Sequence, residues 1–262
     1  MSKLKLSVTL ECFGLPLRKA LLESARLNLD GVRFNSFGEL SPEKLSQSGR
    51  REFRNLLRTH QVELSAVGCP LRRGLNVAEN LEPRIDYVRQ VMSLAYDLGP
   101  RVVIVQTGQV PTEAEDPQRI ILKEALSALG AFGDRMGTVL ALDTGLESID
   151  TLLQFLNEID SGSLAVNFDP ANLLINGFPP LADIRNLADR IAHVSAKDAR
   201  KASASRTAAE VPLGHGDLDW MLFLASLEEI GYRGYVCVHR DTGKPSTAEI
   251  EQGVGFLRRI LP

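Results

Sequence analysis

Short apolar runs alternate with longer amphipathic stretches along the whole chain. The runs are four to six residues long and rich in Val, Ile, Leu and Phe, a composition typical of strands buried in a sheet. Eight strands are predicted in this way, over residues 6–10, 32–35, 62–67, 101–106, 138–143, 164–168, 191–196 and 235–239.

Stretches with apolar residues at helical spacing separate most of these strands. Helices are predicted over residues 15–27, 41–60, 82–98, 118–136, 147–159, 218–230 and 246–260. We expect the second of them to start after a capping Ser41, with Pro42 at its first position, and to break at Ser48-Gly49. Gly99-Pro100 is typical of a helix end, where a C-cap glycine is followed by proline.

The eight strand starts are separated by 26 to 44 residues, which leaves room for one helix between strands. Eight alternating strand–helix units in a chain of 262 residues predict a single (β/α)8 TIM-barrel domain over residues 1–262. A doubly wound open sheet is the alternative fold. That fold usually carries a Gly-x-Gly-x-x-Gly turn after an early strand, and the sequence has none.

Composition indicates an ordinary soluble protein, with 44% hydrophobic and 24% charged residues. The formal net charge of -3 argues against nucleic acid as a partner, because proteins that bind nucleic acid use an excess of Lys and Arg to neutralise its phosphates. Three widely spaced cysteines, Cys12, Cys69 and Cys237, fit buried thiols better than disulfides or a zinc site. We expect a cytoplasmic protein without a membrane segment, since no apolar run approaches the ~18 residues of a membrane span.

Acidic and histidine side chains stand at the ends of the later predicted strands. Asp169 follows strand 164–168, which Pro170 terminates; a plain Asp-Pro turn or a helix N-cap is the alternative reading of this carboxylate. Asp143, Asp169, His193 and His239 together form an oxygen- and nitrogen-rich set that suits Mn²⁺, Mg²⁺, Co²⁺ or Zn²⁺. Solvated salt bridges at the barrel rim are the simpler alternative.

Further polar residues near these ends could bind a substrate. Gln106, Asn172 and Lys197 are candidates for contacts with hydroxyls or a phosphate, and Arg240 for an anionic group. The segment 197–217 is long, polar and without a core pattern. It is therefore predicted to be a mobile loop over the mouth of the barrel.

Four segments resemble the recurring motifs of the xylose isomerase-like TIM-barrel family, the sugar and sugar-phosphate isomerases and epimerases. They are Asn-Phe-Asp-Pro-Ala-Asn (167–172), Ala-His-Val-Ser-Ala-Lys-Asp-Ala (192–199), Val-Pro-Leu-Gly-His-Gly-Asp-Leu-Asp-Trp (211–220) and Ile-Gly-Tyr-Arg-Gly (230–234). The resemblance extends over essentially the whole chain. It implies a divalent metal held by Glu, Asp, His and Glu, and proton transfer next to a carbonyl.

This chain departs from that ligand pattern at three of the four positions. Asp169 matches, whereas Asp143 stands for the first Glu, Ser195 for the ligand His and His239 for the second Glu. Ligands would then be Asp143, Asp169 and His239, with water or His193 filling the gap at Ser195. Fewer negative charges predict weak metal binding or none.

The resemblance thus implies a metal-dependent sugar or sugar-phosphate isomerase or epimerase, with Asp143 and His239 as catalytic residues. The alternative is a non-catalytic paralogue that binds a sugar-like ligand or a protein partner. A small sugar or sugar phosphate is the expected partner, and a homodimer or homotetramer is left open. A nuclease of the endonuclease IV type is disfavoured, because it needs more histidines and a basic face.

Overall fold

A closed barrel of eight parallel strands is the centre of the computed structural model, which describes residues 4–182, 184–244 and 246–261. The barrel strands are β1 Lys5–Thr9, β2 Gly31–Asn35, β3 Glu63–Cys69, β4 Val102–Val105, β5 Val139–Asp143, β6 Leu164–Phe168, β7 Ile191–Ala196 and β10 Tyr235–Val238. They follow one another around the barrel in chain order, and β10 closes the ring between β7 and β1. The predicted (β/α)8 barrel is confirmed.

The helices lie outside the barrel and cover its apolar outer face. They are α1 Leu17–Arg26, α2 Gln47–Thr59, α3 Leu81–Leu98, α4 Pro117–Met136, α5 Ile149–Asn157, α6 Pro170–Ile175, α7 Trp220–Glu229 and α8 Thr247–Ile260. The predicted second helix is wrong at its start. A single turn at Ser41 precedes α2, which begins after Ser46 and continues through Gly49, because the Ser46 hydroxyl caps it by accepting from the Gly49 amide at 3.2 Å.

Side chains on each strand alternate between the outer helices and the barrel interior. Phe34 of β2 faces outward onto Phe53 of α2, and Phe168 of β6 faces outward onto Phe223 of α7. Their neighbours Arg33 and Asn167 therefore face inward. At the bottom of the barrel the interior is small and apolar, formed by Ala66, Ile104 and Ala141. Above it lies a polar layer that belongs to the C-terminal mouth.

The segment predicted to be a mobile loop over the mouth, residues 197–217, contains an antiparallel hairpin, β8 Asp198–Arg200 and β9 Ala209–Val211. Asp198 is buried, and its carboxylate accepts from the amides of Ala199, Gly214 and Gly216 at 2.9–3.0 Å. These bonds attach the hairpin to the loop that leads into α7. Its mobility remains a prediction.

Two further expectations concern the cysteine thiols and membrane-spanning segments. All three cysteines are free and buried, as their apolar neighbours predicted. None of the helices in the described ranges is both long and apolar enough to cross a bilayer.

Candidate active site

The carboxylates and histidines singled out in the sequence lie at one rim of the barrel. Asp143 ends β5, Asp169 directly follows β6, and His239 directly follows β10. His193 is in β7, and the strand pairing sets it level with Asn167, which in turn is level with Asp143. The C-terminal mouth therefore holds all four residues, because parallel strands carry their C-terminal ends to the same side.

Asn167 is the buried link between three of these strands. Its amide nitrogen donates to Asp143 Oδ1 at 2.5 Å and to Ser195 Oγ at 2.9 Å, and its Oδ1 lies 2.8 Å from His193 Nδ1. His193 must donate at Nδ1, so its lone pair is on Nε2, which is buried and has no partner. Asn167 thus fixes the orientation of both the carboxylate and the imidazole.

Lys197 is the buried cation of the site. Its Nζ lies 2.9 Å from Asp169 Oδ2, donates to Asn172 Oδ1 at 2.9 Å and contacts the Asp241 carboxylate. Lys197 and Asp169 are only 2% and 1% exposed. Two of the three N–H donors of this ammonium are used in hydrogen bonds to Asn172 and Asp241, and Asp169 balances its charge as an ion pair.

Asp169 has a second role, which the sequence had offered as an alternative. Its Oδ1 accepts from the Asn172 amide at 2.9 Å and caps the N-terminus of α6. Helix capping and the ion pair therefore use different oxygens of one carboxylate, and the N-cap alternative for Asp169 is confirmed.

Both ring nitrogens of His239 have a partner. Its Nε2 lies 2.8 Å from Asp241 Oδ1, and its Nδ1 lies 3.7 Å from the Cys12 thiol sulfur. Asp241 in turn is anchored from the hairpin, since Glu210 of β9 accepts from the Asp241 and Thr242 amides. The hairpin therefore supports the carboxylate that joins His239 to Lys197.

Burial and charge set the protonation of Asp143 and Lys197 in opposite senses. Burial, reinforced by the Asp169 carboxylate, raises the pKa of Asp143 to about 7, although Lys197, Arg33 and Asn167 oppose the shift. Burial alone lowers the pKa of Lys197, but the carboxylates of Asp169, Asp241 and Asp143 outweigh it and hold that pKa above its usual value. Asp143 can therefore exchange a proton near neutral pH, whereas Lys197 stays charged.

Both histidines are neutral at pH 7. Burial lowers the pKa of His193 well below its usual value, and the Arg33 charge adds to this. Burial and the Arg33 charge likewise lower the pKa of His239, against the opposing effect of its bond to Asp241. The Asp241 carboxylate accepts the Nε2 proton of His239, and this hydrogen bond, with the Lys197 charge, keeps the pKa of Asp241 low despite its burial.

The arrangement does not fit a divalent metal at the predicted ligands. Both oxygens of Asp169 are engaged, one of them by the Lys197 ammonium, and both nitrogens of His239 have partners. Within the ranges the structure describes, no group of three or more His, Cys, Asp or Glu side chains is arranged to hold a metal ion. The metal site over Asp143, Asp169, His193 and His239 is thus brought together in space but not assembled as a ligand set.

Two predicted substrate contacts lie apart from this network. Gln106 follows β4 with an exposed side chain, and Arg240 turns toward Glu249, with Nε 2.8 Å from Oε1. Asn172 and Lys197, by contrast, are at its centre.

Sequence reasoning overlooked Arg33 and Asp241, and it did not single out Asn167. For Arg33 a signal was available, since a charged residue inside the apolar strand Gly31–Asn35 shares the inward parity of Asn35.

A family model described as xylose isomerase-like TIM barrel matches residues 21–260 of this chain. Among curated proteins, the chain is 23% identical over 177 residues to inosose dehydratase of Clostridium beijerinckii, an alignment covering 56% of this chain and 59% of that protein. It is 24% identical over 167 residues to the uncharacterized protein MJ1311 of Methanocaldococcus jannaschii, covering 59% and 55% of the two chains. The chain therefore spans somewhat over half the length of these two relatives.

Solved structures share the whole fold at low sequence identity. A xylose isomerase domain protein from Planctomyces limnophilus superposes with a TM-score of 0.87, 23% identity and coverage of 98% and 97% of the two chains. An L-ribulose 3-epimerase superposes with a TM-score of 0.78 and 17% identity, over 98% of this chain and 94% of that one. A xylose isomerase-like TIM barrel protein from Mycobacterium smegmatis, in complex with magnesium, superposes with a TM-score of 0.77 and 18% identity, over 98% of this chain and 96% of that one.

Proposed function

Because the chain belongs to the xylose isomerase-like TIM-barrel family, we propose that it moves a proton on and off a carbon next to the carbonyl of a small polyhydroxylated substrate. The observation that carries this proposal is the Asp143 carboxyl group, which stands at the end of β5 in the mouth and is held by Asn167 at 2.5 Å. Burial and the Asp169 carboxylate raise its pKa to about 7. A general base works best when its pKa lies near the working pH. The names of two relatives, an inosose dehydratase and an L-ribulose 3-epimerase, support a sugar or polyol as the substrate class.

In this proposal Asp143 takes the proton and the carbonyl becomes an enediolate. Lys197 supplies a fixed positive charge close to the developing oxyanion, because Asp169, Asn172 and Asp241 hold its ammonium in place. Return of the proton from Asp143 to the neighbouring carbon, with transfer of the hydroxyl proton from one enediolate oxygen to the other, gives isomerisation. Departure of a β-hydroxyl as water, with the proton that Asp143 took, gives dehydration. Epimerisation would need a proton donor on the opposite face of the carbon. His239 is neutral and paired with Asp241, so we assign it a positioning role rather than that of a second base.

One experiment tests the first step that these reactions share. The protein is treated with EDTA and incubated in D₂O with ketopentoses, ketohexoses and inososes, and NMR follows exchange of the hydrogen next to the carbonyl. We expect exchange by the wild type, and a rate about 10²- to 10⁴-fold lower for Asp143→Asn. If no sugar exchanges, or if Asp143→Asn exchanges as fast as the wild type, the proposal is wrong.

Metal dependence is tested separately by titrating Mn²⁺ or Co²⁺ into the wild type and into Asp169→Ala. With Lys197 paired to Asp169, we expect the wild type to bind no more metal than the variant. Saturable binding by the wild type alone would restore the ligand set over Asp143, Asp169 and His239.

The same substitutions support a second candidate, a barrel that binds a sugar-like ligand or a protein partner without converting it. The observation in its favour is that Asp169, which alone matches the family's ligand pattern, is paired with Lys197. Saturable binding of a sugar with no hydrogen exchange would favour this candidate.

A further inference from the structure

Arg33 is a buried, unpaired guanidinium inside the barrel mouth. We propose that it binds the carboxylate of an acidic substrate, so that the ligand is a hydroxylated carboxylic acid such as a uronic acid. This inference rests on the proposed function and narrows its substrate class.

The strand geometry directs Arg33 into the barrel. Val32 and Phe34 on either side are fully buried in the outer core, where the Phe34 ring lies 5.4 Å from that of Phe53. The alternation along β2 therefore turns Arg33 and Asn35 toward the interior. Arg33 is only 6% exposed, so bulk water does not solvate its charge.

No carboxylate in the described ranges forms an ion pair with this guanidinium, although the Glu11 and Asp143 carboxyl groups lie within reach of its charge. All the ion pairs there involve other residues, and Arg33 Nε is buried without a hydrogen-bond partner. A guanidinium cannot lose its proton at physiological pH, and burying its charge without a partner destabilises the folded protein. Such a cost is tolerated at binding sites, where a ligand supplies the missing partner.

Gly68 on the neighbouring strand β3 leaves the space that this guanidinium needs. A Cβ at Gly68 would lie 2.0 Å from Asn35 Oδ1 and 3.2 Å from Arg33 Nη2. A cavity of about 250 Å³ opens nearby and is lined in part by Asn35, Glu11, Phe37 and His239. A small ligand can enter there from solvent.

The other unpartnered atoms around Arg33 describe the rest of the ligand. Glu11 Oε2 and His193 Nε2 are buried acceptors to which no described residue donates. Glu11 lies beside β2, since its Oε1 accepts from the amide of Asn35, two residues after Arg33, at 2.9 Å. Acceptors require hydroxyl donors, as a polyol provides. One free positive charge beside the Glu11 carboxyl suits a singly charged carboxylate, whereas a phosphate dianion would meet one cation and a neighbouring acid.

Binding is measured by calorimetry with D-glucuronate, D-galacturonate and D-mannuronate, each against the neutral hexose of the same configuration and its 6-phosphate. We expect at least one uronate to bind 10-fold or more tightly than its hexose, and Arg33→Met to weaken that binding about 10- to 100-fold. Arg33→Lys, which keeps the charge without the fork, should lose part of the affinity. The inference is overturned if no uronate is preferred, if every uronate binds less tightly than the 6-phosphate, or if Arg33→Met binds as the wild type does.

Thermal stability gives an independent readout on the protein without ligand. Arg33→Met removes an unpaired buried charge, so we expect Tm to rise by about 2 to 4 °C. The matched control is Arg50→Met, because Arg50 is similarly shielded but pairs with Asp97 and donates to Leu45 O at 3.1 Å. This control should lower Tm and leave uronate binding unchanged. A lower Tm for Arg33→Met would mean that the protein itself satisfies Arg33, and would overturn the inference.

The two proposals fail in different ways. A protein that binds a uronate through Arg33 yet exchanges no hydrogen would contradict only the proposed function. A protein that exchanges hydrogen on neutral sugars and shows no preference for acids would contradict only the role of Arg33.

Discussion

Replacing Lys197 by Met tests whether an internal ammonium holds the mouth together. The change removes the cation from Asp169, which is 1% exposed and has Lys197 Nζ 2.9 Å from its Oδ2. At an effective dielectric constant near 20, a pair at this distance attracts by about 6 kcal/mol before desolvation is counted. Removing one partner of a buried pair typically costs about 3–5 kcal/mol, and we expect a loss in free energy of unfolding of that size.

A double-mutant cycle separates the ion pair from loss of packing. Asp169→Asn retains an oxygen that can accept from the Asn172 amide, so it preserves the cap of α6. Lys197→Met combined with Asp169→Asn should therefore be more stable than Lys197→Met alone, since no charge is left buried without a partner. Arg18→Met is the surface control, because Arg18 and Glu52 are 67% and 63% exposed and such pairs contribute about 0–1 kcal/mol.

Urea unfolding provides the measurement, followed by circular dichroism and by the fluorescence of Trp220, the single tryptophan, which is 3% exposed. Since the pKa of Lys197 is raised in the folded protein, its stabilisation is complete below the usual lysine pKa of about 10.4 and is lost only at higher pH. The wild type should therefore keep this contribution from pH 6 to 9. A variant within about 1 kcal/mol of the wild type would refute the buried ion pair.

Three further predictions concern neighbouring groups. Because the pKa of Asp143 is about 7, kcat/KM for the exchanging sugar should rise with pH through 7. The pKa of an aspartate in the unfolded chain is about 3.9, so the stability that Asp143 contributes should be present below pH ~4 and lost as the pH rises to 7. An identical pH dependence in Asp143→Asn would contradict the assignment. Asn167→Ala leaves buried groups on Asp143, Ser195 and His193 with fewer partners and should cost about 1–3 kcal/mol in urea unfolding, whereas no loss would mean that water replaces the amide. Asp198→Ala should speed hydrogen exchange at the Gly214 and Gly216 amides while the barrel amides stay protected, and unchanged exchange would show that the hairpin needs no such anchor.

The periodic pattern of the sequence determined the barrel, because eight buried parallel strands leave a local signal of short apolar runs separated by helical stretches. It also determined which rim carries the titratable side chains, since Asp143 ends its strand and Asp169 and His239 directly follow theirs. The pattern did not determine where α2 begins, because Ser41 and Ser46 are both suitable N-caps and only the hydrogen bond at Ser46 identifies the one that is used.

The chemistry of the mouth was decided by tertiary structure alone. Lys197 reads as a surface or phosphate-binding lysine in the sequence, and its burial against Asp169 and Asp241 depends on contacts between β6, the segment after β7 and the segment after β10. Whether the Arg33 guanidinium has an ion-pair partner depends in the same way on the side chains that the neighbouring strands β1 and β3 place beside it. Charge pairing inside a barrel is set by residues far apart in the chain, so no local pattern encodes whether a cation is a ligand's partner, a metal's substitute or a solvated side chain.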